Sequence, residues 1–583
     1  MLRTAVLQQP LPQGRRWLRF DAPRAVHIAH CVADVPGVLA AVEAAAAQGR
    51  WCVGFVSYDA APAFDPALVA LRDPAVPLAV WAEFDGPTAV GDRPQLVAAP
   101  YRCGPWTPDS SRAEHAAALA RIRAHLRDGD TYQVNHTFRL AADFDGDPAG
   151  LFHQLVDAQR ADHGAYLDLG DAAICSASPE LFVRRVGTDV TCRPMKGTAP
   201  RHPDPEWDAE VGSRLKRSPK DRAENVMIVD MVRNDLGRVA RVGSVAVPAL
   251  FELERYPTVH QLTSTVTASV DAPLSDLLRA VFPGASITGA PKVAASRIIA
   301  ELETTPRGIY TGAIGALSPH GTLELNLAIR TAWVDRAAGR ATYGVGGGIV
   351  WDSDPDDEWD EAIAKSRVLT ERLPDFDLLE TIRVDPPPGG AVLLDRHLDR
   401  LRASAEHLGF EVDLDEVRSH VVALTPDDAQ RVRVLVSRRG EVRVESEPLT
   451  APPPEPWPVP VAEGAVRSDD ASCRHKTTHR GVYERARAAA PDAPDVILCN
   501  ERGELTETTI GNLVLQLDDK LVTPPVSSGL LPGTFRAQLL DDAVVTERVL
   551  TIDDLVSARA AWMVNSVRGW VRIEPILPER REA

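Results

Sequence analysis

The spacing of apolar and polar positions changes several times along this chain, and each change marks an element. Up to about residue 105, short apolar runs (Val38–Ala47, Cys52–Tyr58, Val76–Phe84) mix with prolines, and no chemical motif stands out. A helical pattern then holds over Ser111–Arg127 and closes on Asp128-Gly129-Asp130 as a turn. Strands are expected over Tyr132–Phe144, Gly164–Leu169, Ala173–Ser178 and Leu181–Val186. Helices return at Trp207–Arg214, Arg222–Arg233 and Val293–Leu302. Glycine-rich strands, Gly312–Ser318 and Ala341–Trp351, lead to a helix expected over Asp357–Arg372.

The texture shifts around Leu373-Pro374-Asp375, where we place the main boundary. Phe376–Arg383 reads as a strand and Leu393–Leu408 as an amphipathic helix. Residues 448–460 hold seven prolines, which excludes regular helix or sheet and predicts a stiff surface linker. The expected domains are 1–372, with a core at about 110–370, and 373–583, with subdomains 375–447 and 461–583.

Composition narrows the class without naming a reaction. Hydrophobic residues at 44% and charged residues at 25% fit an ordinary globular protein. The formal charge of −18, from 64 basic and 82 acidic residues, argues against a nucleic-acid partner. No window approaches the ~20 apolar residues of a membrane span. Arg3, Arg15, Arg16 and Arg19 precede no apolar run, so no signal peptide is expected. Seven scattered cysteines, odd in number and never spaced CxxC, suggest neither disulfides nor structural zinc. A cytoplasmic location is expected.

The densest chemistry runs from Ser176 to Lys365. Ser178-Pro179-Glu180 precedes a strand, and Pro194-Met195-Lys196-Gly197-Thr198 is expected on a turn. Asp221/Glu224 and Glu358/Glu361 are carboxylate pairs at i,i+3 on separate helices, and Lys365 shares a face with the second pair. If those helices face each other, they form a hard oxygen site suited to Mg²⁺. Gly346-Gly347-Gly348 can bring bare backbone N–H groups against an anion. Lys196 becomes a nucleophile if desolvation keeps part of it neutral. Each feature has a plain structural reading too: solvated helix faces, a charged surface lysine, a glycine bulge.

Taken together, SPE, PMKGT, KDRAENVMIVDMVRNDLGR, ITGAPK, GIYTGAIG, IR and GGGIV…DEWDEAIAK resemble the chorismate-utilising enzymes over roughly residues 110–370. The resemblance implies a large β-sandwich flanked by helices, in an α+β chain. It implies Mg²⁺ on Glu224 and Glu361, supported by Asp221 and Glu358, and Glu180 as general acid. Tyr310, Arg330, Thr288, Gly346, Gly348, Lys365 and Gln133 match substrate-pocket positions. His260 also matches, with a core histidine as the equal alternative. Anthranilate-forming members carry alanine in PIAGT, whereas aminodeoxychorismate-forming members carry lysine in PIKGT, so Lys196 implies amination at C4. Isochorismate- and salicylate-forming members place a water-activating lysine where this chain has Gln133, so ammonia rather than water is implied.

Residues 376–575 resemble, more loosely, the fold-type IV pyridoxal-phosphate enzymes, through ETIR, HLDRL, His475-Lys476-Thr477, GELTETTIGNL and GLLPGTFR. That implies a two-subdomain α/β unit. Lys476 would hold the cofactor and Glu507 its pyridine nitrogen. Arg400, Gly533, Thr534, Phe535 and Ser566 would hold its phosphate.

The two resemblances imply conversion of chorismate to 4-amino-4-deoxychorismate and then, with loss of pyruvate, to 4-aminobenzoate. No cysteine sits in a GxCxG elbow, so ammonia is expected from a separate glutamine amidotransferase. A homodimer through the pyridoxal-phosphate domain is a further expectation. The alternatives are an anthranilate-type synthase joined to an aminotransferase, or a non-catalytic binding module.

Overall fold

The computed structural model describes all residues except 12–13, 98, 161, 203, 258, 371–375, 471–472 and 578–583, and the side chain of Glu206. The chain divides into two compact units, Met1–Arg201 with Val211–Leu373, and His202–Glu210 with Pro374–Ala583. The boundary expected at 372/373 lies outside the described residues.

The first unit is built on two large sheets, eleven- and ten-stranded among the described residues. Leu7, Phe20, Leu167 and Ile174 of one sheet pack with Val53, Phe55, Val80 and Ile314 of the other, so one core lies between the sheets. Helices cover the outer faces. Val35–Ala47 and Leu274–Val281 bury Leu39, Val42, Leu277 and Leu278 against the ten-stranded sheet. Pro148–Gln159 buries Leu151, Phe152 and Leu155 against the eleven-stranded one. The expected helix-flanked sandwich is the observed architecture. Among the described residues, no helix is long and apolar enough to cross a membrane.

Local chemistry explains where the elements begin and end. Helix Arg112–Asp128 starts at Ser111, whose side chain accepts from the Glu114 N–H while the Glu114 carboxylate accepts from the Ser111 N–H. Gly129, at φ +81°, ends it. The helix expected to reach Arg372 stops at Ala364, and a 3₁₀ turn, Arg367–Leu369, follows. There the Ser366 hydroxyl donates to the Ile363 carbonyl at 2.7 Å, competing with the next helical hydrogen bond.

PMKGT departs from expectation. It lies in a strand, Met195–Pro200, paired with Val259–Ser269, rather than on a turn. The register shifts between Met195 and Thr198, and Gly197 has φ +92°. A bulge of this kind redirects a side chain without breaking the sheet.

In the second unit, a four-stranded sheet packs under helices Leu394–Leu408 and Leu414–Val422 around Leu378, Ile382, Leu401 and Val432. An eight-stranded sheet holds its own core of Trp457, Val459, Leu513, Leu515 and Met563. The proline-rich stretch corrects the sequence reading, because Trp457–Val466 is a strand of this sheet. Trp457 and Val459 point inward, and Trp457–Pro460 pair with Ile573–Ile576 on one side. The other neighbour joins only at Val461, after the prolines that cannot donate have passed.

Candidate active sites

One cavity of the first unit gathers most of the residues singled out there: Glu180, Lys196, Asp221, Glu224, Tyr310, Arg330, Gly346, Gly348, Glu358, Glu361 and Lys365. Helices Pro219–Gly237 and Pro355–Ala364 bring the two carboxylate pairs to it, so the i,i+3 spacings are more than solvated faces. Strand Arg340–Ile349 brings the glycines. A Cβ on Gly348 would stand 2.5 Å from Lys196 Nζ and 2.3 Å from Gln133 Nε2, and one on Gly347 would stand 2.9 Å from Glu358 Oε2. The bare strand is what lets these side chains converge.

Burial sets the charge states. Glu180 is 5% exposed, and loss of solvent pushes its carboxyl up to about 7, although Ser286 Oγ donates to it at 2.9 Å and Lys196 is close by. Burial likewise pulls the Lys196 ammonium below its usual range, against the attraction of Glu224. Both groups are therefore moved toward neutrality. Glu224 and Glu358 are raised, chiefly by burial, with neighbouring carboxylates adding repulsion. Glu361 is lowered by the Lys365 ammonium at 2.7 Å.

Arg330 occupies the left-handed region at φ +52° and donates to the Lys365 carbonyl at 2.9 Å. The Tyr310 ring lies flat on Gly344, where a Cβ would come within 2.2 Å of it. Three expected residues stand behind the cavity wall. Gln133 is fully buried and reaches the site only past Gly348. The Thr288 hydroxyl donates to the Gly284 carbonyl at 2.9 Å. His260 packs beside Gly212. Ser286 and Asn135, which line the cavity, escaped the sequence reading, although Ser286 precedes ITGAPK.

The carboxylates suit Mg²⁺ in donor type. Among the described residues, no three acidic, histidine or cysteine groups stand together as a metal cluster. Glu358 accepts from Ser353 Oγ at 2.6 Å and Glu361 is paired with Lys365, so substrate oxygens and water would have to complete the coordination.

The second unit has a cavity of about 360 Å³ lined by Lys476, Glu507, Arg400, Gly533, Thr534 and Ser566. Burial and the nearby Arg400 and Arg480 charges pull Lys476 down to about 7. Burial pushes Glu507 up to about 7, while Tyr483 Oη donates to it at 2.8 Å and the Leu531 N–H at 3.1 Å. Arg400 is gripped by Glu380, Nε to Oε1 at 2.9 Å and Nη2 to Oε2 at 2.5 Å, and donates to the Pro532 carbonyl. Glu380 also holds His397 Nδ1 at 2.6 Å, and His397 Nε2 reaches Ser566 Oγ at 3.1 Å and Thr534 Oγ1 at 3.3 Å. This chain of contacts ties the phosphate-binding candidates together. Gly533 caps helix Thr534–Asp541, and a Cβ there would strike Asn512 Oδ1. Phe535, expected at the phosphate, packs instead against a side cluster with Leu539 and Val545 and does not line the cavity. Glu380 and His397 were visible in ETIR and RHLDRL, but only the fold reveals that they meet.

Residues 92–371 match the family described as chorismate binding enzyme, and residues 377–576 match amino-transferase class IV. The first half is 48% identical over 269 residues to aminodeoxychorismate synthase component 1 of Klebsiella aerogenes, covering 45% of this chain and 59% of that protein. It is 40% identical over 290 residues to anthranilate synthase component 1 of Streptomyces coelicolor, covering 48% and 56%. The matched stretch thus spans less than two thirds of either relative. The menaquinone-specific isochorismate synthase of Escherichia coli shares the fold at 19% identity and a TM-score of 0.51, over 63% of this chain and 88% of that one. Two adjoining stretches of the chain are thus similar to chorismate binding enzymes and to class IV aminotransferases, and the fold of the latter implies pyridoxal phosphate.

Proposed function

We propose that this chain makes 4-aminobenzoate from chorismate in two steps, one in each unit. The observation that carries the reading is Lys196, a half-buried lysine sharing a cavity with the buried acid Glu180. The neutral amine of Lys196 forms a bond at C2 of chorismate as both ring double bonds shift by one position toward C4. The C4–O bond breaks, and Glu180 gives its proton to the leaving hydroxyl, which departs as water. Ammonia then adds at C4, both double bonds return, the C2–N bond pair goes back to Lys196, and the Glu180 carboxylate takes up the proton that the new amine sheds. Arg330, Lys365 and the glycine strand hold substrate carboxylates, and Glu224, Glu358, Glu361 and Asp221 are the residues that would hold Mg²⁺.

Pyridoxal phosphate, when bound in the second unit, supplies an electron sink for breaking a bond next to nitrogen. Lys476 would hold the cofactor and move the proton whose loss accompanies expulsion of pyruvate. Glu507 would pair with its pyridine nitrogen. Arg400, braced by Glu380, and the turn at Gly533 would hold its phosphate.

Ammonia would come from a separate amidotransferase. Burial keeps the thiols of Cys52 and Cys192 up at about 12 and that of Cys499 at about 11, the reverse of what a nucleophilic cysteine needs. The relative from Klebsiella aerogenes, named as component 1, supports a second component.

Purified protein given chorismate, Mg²⁺, ammonium and pyridoxal phosphate should release 4-aminobenzoate with no added lyase. Anthranilate as the product would overturn the reading and favour the rival synthase.

A further inference from the structure

The cavity of the second unit carries more positive charge than cofactor binding uses. Arg400, Arg431, Arg433, Lys476, Arg480 and Arg568 line it, against the single acid Glu507. Glu380, Glu447 and Glu445 pair with Arg400, Arg431 and Arg433. Arg480 and Arg568 have no carboxylate partner among the described residues. Arg480 donates to the Thr509 carbonyl at 2.7 Å and lies over the Tyr483 ring, beside the Lys476 end of the cavity. Arg568 is different in kind.

Arg568 sits on the hairpin joining strands Ala560–Asn565 and Gly569–Ile576. That tip is held in shape, because the Val567 and Arg568 N–H groups donate to Asn565 Oδ1 at 3.1 and 2.8 Å. Ser566, on the same tip, contacts His397 toward the Arg400 end. The Arg568 side chain rests on Trp457, 5.8 Å from its ring centroid, and one nitrogen donates to the Thr450 carbonyl at 3.2 Å. The rest of its guanidinium fork is available to a planar anion. Partial burial and the charge of Arg431 both press its pKa below the ordinary arginine value, so the two cations repel across the cavity. An anion bound between them relieves that repulsion.

We propose that Arg568, with Arg431 beside it, binds a substrate carboxylate remote from the reacting amine, so that the second unit selects amino compounds carrying two carboxylates. The inference rests on the reading of this cavity as the pyridoxal-phosphate site. An amine made from chorismate carries a ring carboxylate and an enolpyruvyl carboxylate, and so offers this second anion. An ordinary amino acid with an apolar side chain would instead lay hydrocarbon against Arg568, which penalises it.

The test uses the full chain loaded with pyridoxal phosphate. The change in absorbance of the bound cofactor is followed as benzene-1,3-dicarboxylate or benzoate is added at low salt. That signal reports the second unit alone. The dicarboxylate should bind at least about tenfold more tightly than benzoate. Arg568→Gln should remove that preference while keeping the cofactor spectrum and the benzoate affinity, Arg568→Lys should keep part of it, and Arg431→Gln should weaken it. Equal affinities for the two probes in the unaltered protein, or a preference untouched by Arg568→Gln, would overturn the proposal while the cofactor reading stands. A protein that shows no cofactor band before any probe is added would overturn both.

Discussion

The Lys365 ammonium stands 2.7 Å from a Glu361 carboxylate oxygen and 2.8 Å from the Gly346 carbonyl oxygen. A cation of the protein thus already engages one of the oxygens that the Mg²⁺ reading needs. Lys365→Met should strengthen Mg²⁺ binding to the substrate-free protein by a factor of about three to ten, because the competing charge is gone. It should also raise KM for chorismate. Titration calorimetry with Mg²⁺ checks the first effect, and an unchanged or weakened affinity contradicts it.

Glu180, raised to about 7, keeps its proton in a large part of the molecules at neutral pH and loses it as pH rises further. If it is the general acid, kcat/KM for amination should fall above pH ~7. A carboxyl raised from 4.5 gives stability that is fully present below the unfolded value and lost as pH passes the folded one. Glu180→Gln removes that loss. Its thermal stability relative to the unaltered protein should therefore increase from pH 5 to pH 8, by up to roughly 3 kcal/mol. Melting curves across that range check the sign, and the variant should lose ~10²-fold or more in amination.

Gly348→Ala places a methyl group against Lys196 Nζ and Gln133 Nε2, the movable ends of two flexible side chains. The fold should survive at a cost of about 1 kcal/mol, whereas amination should fall by ~10²-fold through misplacement of Lys196. Paired melting and rate measurements separate the two effects. Equal loss of stability and activity would refute the claim that the bare strand makes room for the lysine.

Glu380 is held down to about 2, since the charges of Arg400 and His397 outweigh its burial. Glu380→Ala leaves the largely enclosed Arg400 without its carboxylate partner and frees His397. The second unit should lose on the order of 3–5 kcal/mol of stability. Pyridoxal phosphate should bind at least tenfold more weakly, measured by absorbance titration. An unaltered cofactor affinity would mean that Arg400 needs no brace.

Much of the architecture could be read before the fold, because its signals are local. Ser111 and Glu114 announce a helix start, and Gly129 its end. The carboxylate pairs were legible because i,i+3 spacing places them on one face. What escaped depends on partners distant in sequence. Trp457-Pro458-Val459-Pro460 looked unfit for a sheet, yet its prolines fall where only one neighbouring strand needs its hydrogen bonds. The bulge that puts PMKGT in a strand is created by pairing with Val259–Ser269. Glu380 meets His397 and Arg400 only when strand Leu378–Asp385 packs under helix Leu394–Leu408. Gln133 and Thr288 sit behind the cavity wall for the same reason, since the motif states a residue's presence and not its depth.

Lys196 is proposed as the nucleophile that directs amination to C4. The most direct measurement mixes the protein with chorismate and Mg²⁺ in the absence of ammonia, quenches rapidly, and maps any adduct by peptide mass spectrometry. Attack by Lys196 should leave a modification equal to chorismate less one water on the peptide containing Lys196, absent from Lys196→Ala. No adduct on Lys196, together with undiminished 4-amino-4-deoxychorismate formation by Lys196→Ala when ammonium is supplied, would contradict it.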